Sequence, residues 1–211
     1  MRLHAIGGLC NRLQAILSYR AAHGGQLEVL WKPDLYVSHA LFSDVFEPIP
    51  GVTFMTDGGH DKEDWGIDWS APPDWRSSYA LLTPKVPILP PAGDYVAVHA
   101  RRTDHIPNMN ATGDHKTTDE ELRTFVEKYP TLPIYLATDN GETQARWAKD
   151  PRVIAGRVLP GTEAQGLTDH HRNGTLDRAV QDLYLCAAAK HFMGTHNSTF
   201  TRTIEILRSL K

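Results

Sequence analysis

RLHAIGGLCNRLQAILSYRAAHGGQLEVLW, residues 2–31, is the stretch that decides the fold. Arg2 to Ile6 reads as a strand and Gly7-Gly8 as a turn. Apolar residues at helical spacing then make a helix from about Asn11 to His23, stopped by Gly24-Gly25. Gln26 to Trp31 reads as a second strand. Two strands joined through a helix rather than a hairpin lie parallel, so the unit predicts a parallel sheet.

The alternation resumes beyond Asp94, with strands expected at Tyr95 to Ala100, Ile134 to Thr138, Arg152 to Ala155 and His191 to Gly194. Between and after them come helices at Asp119 to Tyr129, Glu142 to Lys149, Leu176 to Lys190 and Thr199 to Leu210. Thr118 with Glu121 fits a capping box, and Thr175 and Ser198 stand where N-caps belong. From Pro33 to Pro91, where nine of the 14 prolines collect, the periodicity weakens and loops with short elements are expected. The reading is an α/β chain of doubly wound parallel sheets in two parts, 1–92 and 93–211.

Composition narrows the function. The 211 residues carry 22 Lys+Arg against 25 Asp+Glu, a formal net charge of −3, with 41% hydrophobic content. Neither part is a basic block able to follow a phosphate backbone, so no nucleic-acid partner is expected and any nucleotide would be a small molecule in a pocket. No apolar run reaches the ~18 residues of a membrane span, and Met1 to Ile6 is too short for a signal h-region. Cys10 and Cys186 allow no disulfide framework, so a reducing, cytoplasmic setting is expected.

In such sheets ligands bind beyond the carboxyl ends of the strands. Three polar clusters stand there: His99-Ala100-Arg101-Arg102-Thr103-Asp104, Thr138-Asp139-Asn140, and Gly194-Thr195-His196-Asn197-Ser198-Thr199. Asp139-Asn140-Gly141 also suits a plain turn. Two adjacent arginines do not serve a turn, whereas guanidinium forks match the oxygens of a pyrophosphate. Ser198-Thr199-Phe200 opens a helix whose free N–H groups suit an anion, although this is also ordinary capping. Asp182, on an otherwise apolar helical stretch, either faces solvent or receives two donors from a base such as guanine. Trp65, Trp69 and Trp75 are either core or stacking faces for sugars. His170-His171 lacks ligands at a regular interval and reads as a solvated loop, and the chain contains no D-x-D sequence, so no metal is expected.

Four of these segments carry a resemblance. Gly7-Gly8-Leu9-Cys10-Asn11-Arg12-Leu13, His99 to Asp104, Tyr135-Leu136-Ala137-Thr138-Asp139-Asn140, and Asp182 through Phe200 resemble, in order and spacing, the motifs of one fucosyltransferase superfamily. It contains the α-1,6-fucosyltransferases, the rhizobial chitooligosaccharide enzymes and the protein O-fucosyltransferases. The resemblance implies a GT-B architecture, two Rossmann-like lobes facing a cleft, here with a reduced N-terminal lobe of about 92 residues on the acceptor side. It also implies inverting, metal-independent transfer of fucose from GDP-fucose to a glycan or other hydroxyl acceptor, with no further cofactor.

Carried over by position, His99 and Asp182 would contact guanine and Arg101 would hold the β-phosphate, with Arg102 supporting it. Asp139, Asn197, Ser198, Thr199 and Phe200 complete the donor site. The loop from Gly7 to Arg12, Gly8 included, would face the donor with Asn11 and Arg12 as its reactive members, while Trp65, Trp69 and Trp75 would meet the acceptor. Cys10 and Asn140 replace the family's Gly and second Asp. The family's acidic base has no clean match: Asp104, His105, Asp114 and His115 are available, Asp114 ranking ahead of Asp104. The alternatives are a GDP-sugar-binding module with impaired catalysis and a transferase using another GDP-sugar. An NAD-linked oxidoreductase ranks last, because Gly7-Gly8 does not complete G-x-G-x-x-G.

Overall fold

The structure, a computed structural model, describes residues 1–34, 37, 39–102, 117–156 and 175–211. The chain divides into two units, Met1–Pro87 with Ile206–Lys211, and Ile88–Glu205.

The first unit is built on a parallel sheet of order β3-β2-β1-β4, formed by β1 (Arg2–Ala5), β2 (Leu27–Leu30), β3 (Val52–Met55) and β4 (Lys62–Asp64). The expected strand, helix and second strand at the amino terminus are present, with α1 running over Leu9–Ala22. α1 is buried almost all round, because β1 and β2 lie against it and a 3₁₀ helix at Trp75–Leu81 packs along it. The segment expected to be loops supplies β3, β4, the short α2 (Phe42–Val45) and the 3₁₀ helix. Phe42 stacks on Phe54 at 4.0 Å and meets Trp31 edge-on at 5.7 Å, an arrangement that suits the ring quadrupoles.

The second unit carries a parallel sheet of order β7-β6-β5-β8, from β5 (Val96–Ala100), β6 (Ile134–Thr138), β7 (Val153–Ala155) and β8 (His191–Gly194). Its helices are α3 (Asp119–Val126), α4 (Gly141–Trp147), α5 (Leu176–Ala188) and the first part of α6 (Thr199–Ser209), which passes into the first unit at Ile206. Val96, Val98, Ala100, Ile134 and Leu136 form a core with Leu122 and Val126 of α3 and Trp147 of α4. α5 packs against β5 and β6. The capping box of α3 is formed: Thr118 Oγ1 accepts the Glu121 N–H at 3.1 Å and Glu121 Oε2 accepts the Thr118 N–H at 2.6 Å. Asp119, Glu120 and Glu121 place negative charge at the positive end of that helix.

The three tryptophans separate. Trp65 and Trp69 are exposed, 59% and 90%, whereas Trp75 is 5% exposed within the 3₁₀ helix and tilts against Tyr79. Trp75 therefore belongs to the core and is withdrawn from the acceptor surface expected of it. Trp75→Ala should cost about 3–5 kcal/mol of stability, while Trp69→Ala should stay within about 0.5 kcal/mol, as read by urea unfolding.

Candidate active site

Beyond Ala100 the chain leaves β5, and its next two N–H groups need acceptors outside the strand ladder. The neighbouring strand ends supply them. The Arg101 N–H donates to Thr195 Oγ1 at 3.0 Å, while the Thr195 hydroxyl donates to the His99 carbonyl at 3.0 Å. The Arg102 N–H donates to Asp139 Oδ1 at 2.8 Å, and the Thr138 hydroxyl donates to the Ala100 carbonyl at 2.7 Å. Side chains after β6 and β8 thus clamp the exit of β5 and fix where both arginines begin. Asn140, next in its cluster, caps α4 by accepting the Thr143 N–H at 2.8 Å.

The two guanidinium groups have different fates. Arg102 donates through Nε (3.1 Å) and Nη2 (2.8 Å) to Asp119 Oδ1, and through Nη1 to the Arg101 carbonyl at 3.2 Å. Arg146 takes the other Asp119 oxygen at 2.8 Å. Burial works to raise the Asp119 pKa, but its bonds from Arg146 and Arg102 and their charges hold the carboxyl below its usual range. The fork of Arg102, expected among the catalytic residues, is thus engaged with Asp119 at the start of α3. Arg101 stands at the open end of the strand with its backbone held.

His99 is buried, its Nδ1 lies 2.8 Å from Thr201 Oγ1, and its ring stacks on Phe200 at 4.7 Å. That contact depends on Gly194. A Cβ at residue 194 would stand 2.5 Å from Thr201 Cγ2 and 2.6 Å from its Oγ1, so only glycine lets the first turn of α6 approach the end of β8. Asn197 turns the chain into α6 at φ 55°, a left-handed conformation that asparagine tolerates. Ser198 is buried behind it, while Thr199 and Phe200 are half-buried. Gly194, Thr195, His196, Ser198 and Arg202 line a cavity of about 350 Å³ together with Thr117.

Asp182 lies on α5 under the same sheet face as His99, because Tyr135 pairs with Ala97 and Ala137 with His99. Tyr135 donates its hydroxyl to Asp182 Oδ1 at 2.7 Å, and Arg178 Nη2 reaches the same oxygen at 2.7 Å while its cation lies over the Tyr135 ring at 5.6 Å. Burial dominates these two partners and raises the Asp182 pKa to about 6. In the sequence Tyr135 stands out only as part of a motif, and Arg178 does not stand out. The i,i+4 spacing of Arg178 and Asp182 was the available signal.

In the first unit Gly7 takes φ 79°, and the Asn11 amide folds so that its Nδ2 would lie 3.0 Å from a Cβ there. Gly8 forms the N-terminal boundary of α1 without a side-chain cap. Arg12 corrects an expectation. It is 0% exposed, donates to the carbonyls of Gly7 and Lys32 at 2.8 Å each, pairs with Asp34 at 2.5 Å and lies over the Trp31 ring at 4.8 Å. The buried guanidinium ties the glycine loop to the segment just after β2. Asp104 and Asp114, the expected bases, lie outside the described residues, as do His105, His115, His170 and His171.

The fold first defines a class. Both α/β lobes, each on a four-stranded parallel sheet, match GT-B glycosyltransferases. The structure of NodZ α-1,6-fucosyltransferase soaked with GDP-fucose aligns with a TM-score of 0.62 at 16% identity, covering 98% of this chain and 91% of that one. POFUT1 in complex with GDP aligns with a TM-score of 0.60 at 11% identity, covering 99% and 94%.

Sequence then narrows the class. GDP-fucose protein O-fucosyltransferase 2 of Drosophila melanogaster is 28% identical over 113 residues, 53% of this chain and 23% of that protein. Its counterpart in Caenorhabditis elegans is 31% identical over 114 residues, 54% and 26%. The chain thus spans about a quarter of the length of these curated relatives, and no family model matches it. In part of its sequence it is similar to these protein O-fucosyltransferases, and in fold to the GT-B fucosyltransferase structures. Among the described residues no helix is long and apolar enough to cross a membrane.

Gly194→Ala should push Thr201 from His99 and destabilise the protein by about 1–3 kcal/mol, the usual cost of overpacking. Thermal unfolding of Gly194→Ala beside Gly93→Ala checks this, because a Cβ at Gly93 meets nothing within 4 Å although its φ of 78° adds backbone strain. The Gly93 variant should retain Thr201-dependent ordering of the His99 ring in NMR spectra, and the Gly194 variant should lose it.

Proposed function

We propose that the chain is a glycosyltransferase that moves fucose from GDP-fucose to a hydroxyl of a glycan or glycoconjugate acceptor, inverting the anomeric centre without a metal. The observation that carries this reading is the edge where His99, stacked on Phe200 and bonded to Thr201, adjoins the clamped exit of β5 at Arg101. The resemblance of sequence and fold to proteins named as GDP-fucose-using enzymes supports the donor.

In this mechanism Asp182 and His99 receive guanine. Guanine's adjacent N1–H and N2–H groups suit a carboxylate, and both existing bonds to Asp182 end on Oδ1. Arg101 meets the β-phosphate from one side. From the other, the first N–H groups of α6, which have no acceptor within the helix, and the hydroxyls of Ser198 and Thr199 meet the diphosphate. Together they stabilise charge developing on departing GDP, at roughly 3–4 kcal/mol per essential donor. Asp139 and Asn197 keep their places in the donor site as holders of backbone, Asp139 at Arg102 and Asn197 at the turn into α6. Asn11 remains the polar contribution of the glycine loop, Asp114 or Asp104 the base that deprotonates the acceptor, and Trp65 and Trp69 the acceptor's aromatic faces. Cys10 and Cys186 are both buried, and two cysteines offer no disulfide framework, so a reducing, cytoplasmic setting is part of the proposal.

One observation favours a second reading, a GDP-sugar-binding module with impaired catalysis: Arg12 is enclosed and leaves the glycine loop a single reactive amide. Slow hydrolysis of GDP-fucose, with or without an acceptor, separates the two.

GDP and GDP-fucose should raise the melting temperature, and UDP and NAD should not. Equal shifts from UDP would remove the guanine assignment. Arg101→Ala and Arg101→Lys should both lose at least about tenfold in turnover, since an ammonium cannot reproduce a guanidinium fork, whereas activity should persist in EDTA.

GDP affinity should depend on pH with a definite sign. Only ionised Asp182 accepts two N–H donors, so affinity should be level above about pH 6 and fall as pH drops through it, approaching tenfold per unit. Calorimetric titration across that range, with Asp182→Asn showing weak, pH-independent binding, checks it.

A further inference from the structure

We propose that His4, His60 and Glu63 form a binding site for a divalent metal of the zinc type on the first sheet, independent of the transfer chemistry. His4 is on β1 and Glu63 on β4, directly paired in the parallel register, and His60 comes just before β4. The ligand atoms of all three lie within 4.8 Å of one another. His4 Nδ1 is 2.7 Å from Glu63 Oε2, and the His4 and His60 rings are 5.0 Å apart. Two imidazoles and one carboxylate are a donor set that Zn²⁺ takes readily, leaving its fourth position for water.

Geometry and charge both permit the ion. Tetrahedral ligands about 2.0–2.1 Å from zinc stand about 3.3 Å apart, so the His4 and Glu63 pair must open by about 0.6 Å. Glu63 can yield, being half exposed at 50%, while His4 is fixed within the sheet. The 2.7 Å contact between His4 Nδ1 and the Glu63 carboxylate places a proton on Nδ1, so for Nδ1 to ligate the ion that proton must pass to Nε2 or to solvent. Lys32 repels a cation, and the Glu63 carboxylate offsets it. His60 and Glu63 are both exposed to solvent, and His60 borders a cavity of about 420 Å³ with Met1, Arg2, Glu28, Gly59 and Asp61.

The consequence is structural. β4 is only three residues long, Lys62-Glu63-Asp64, and gains little from apolar packing. Asp64, at its end, accepts the Tyr19 hydroxyl through Oδ2 and the N–H groups of Trp65 and Gly66 through Oδ1, each at 2.8 Å. A metal bridging β1 to β4 therefore holds the strand that anchors the segment carrying Trp65 and Trp69.

The test uses the whole chain stripped of metal, with Zn²⁺ and Co²⁺ as probes and His60→Ala and Glu63→Gln as variants. Both variants alter exposed side chains and should melt close to the parent when stripped. Zn²⁺ at a hundredfold excess over its Kd should raise the parent's melting temperature by about 5–10 °C and leave the variants unmoved. Co²⁺ should give the parent the intense visible absorption of a tetrahedral site, and this should vanish in both variants. Equal stabilisation of parent and variants would place the ion on other histidines and overturn the proposal, as would absence of the cobalt spectrum in the parent. The readouts do not involve GDP-fucose, so the outcome stands apart from that of the transferase reading.

Discussion

The second lobe depends on how the backbone leaving β5 is satisfied. A parallel sheet ends its strands at a common edge, and the amides just past that edge have no ladder partner. Here Thr195 after β8 and Asp139 after β6 receive the N–H groups of Arg101 and Arg102. Once the backbone is held on both flanks, side-chain direction follows. Arg102 turns to α3 and locks onto Asp119, which Arg146 of α4 also holds. The start of α3, the helix α4 and the exit of β5 are joined through a single carboxylate. Removing Asp119 would leave two cations facing each other beside a buried strand end, a larger loss than a surface ion pair implies.

A second constraint is steric. Gly194 lets Thr201 touch the sheet, and Thr201 in turn fixes His99. The start of α6 is thereby brought close to the end of β8 beside the clamped exit of β5, a closeness that follows from the absence of one methyl group.

The fold was largely legible in the second half and in the first thirty residues, because hydrophobic period and capping agree there. Ile134–Thr138 and His191–Gly194 matched the expected strands, and Thr118 formed its box with Glu121. β3 and β4 were hidden for a physical reason: β4 is three charged residues at a sheet edge, where pairing rather than burial makes the strand. The gathering of the three polar clusters at one sheet edge was legible, the partners of individual side chains less so. Arg12 looks like a reactive arginine in a glycine loop, but its partners Lys32 and Asp34 are twenty or more residues away and nothing local announces them. Trp75 differs from Trp65 and Trp69 only in sitting on a 3₁₀ helix that packs along α1. His4 and Glu63 become neighbours through strand register, which composition does not encode.

The two carboxylates of the candidate donor lobe are tuned in opposite directions, and this separates scaffold from recognition. Burial works to raise both. At Asp119 the bonds and charges of two arginines outweigh it and depress the pKa, so that group adds stability above the unfolded value of about 3.9 and loses it as pH falls through the lower folded value. At Asp182 burial outweighs Arg178 and Tyr135, and the folded pKa rises to about 6. Its contribution has the opposite sign, present below about pH 3.9 and lost as pH rises through about 6. At neutral pH Asp119 is an anion that the scaffold has fully compensated, whereas Asp182 is a buried anion compensated on one oxygen. A ligand offering two N–H donors to Asp182 would recover what ionisation cost the empty protein. Asp182 thus keeps one oxygen for a donor pair of the kind the proposed guanine would bring, while Asp119 holds the Arg102 fork within the scaffold.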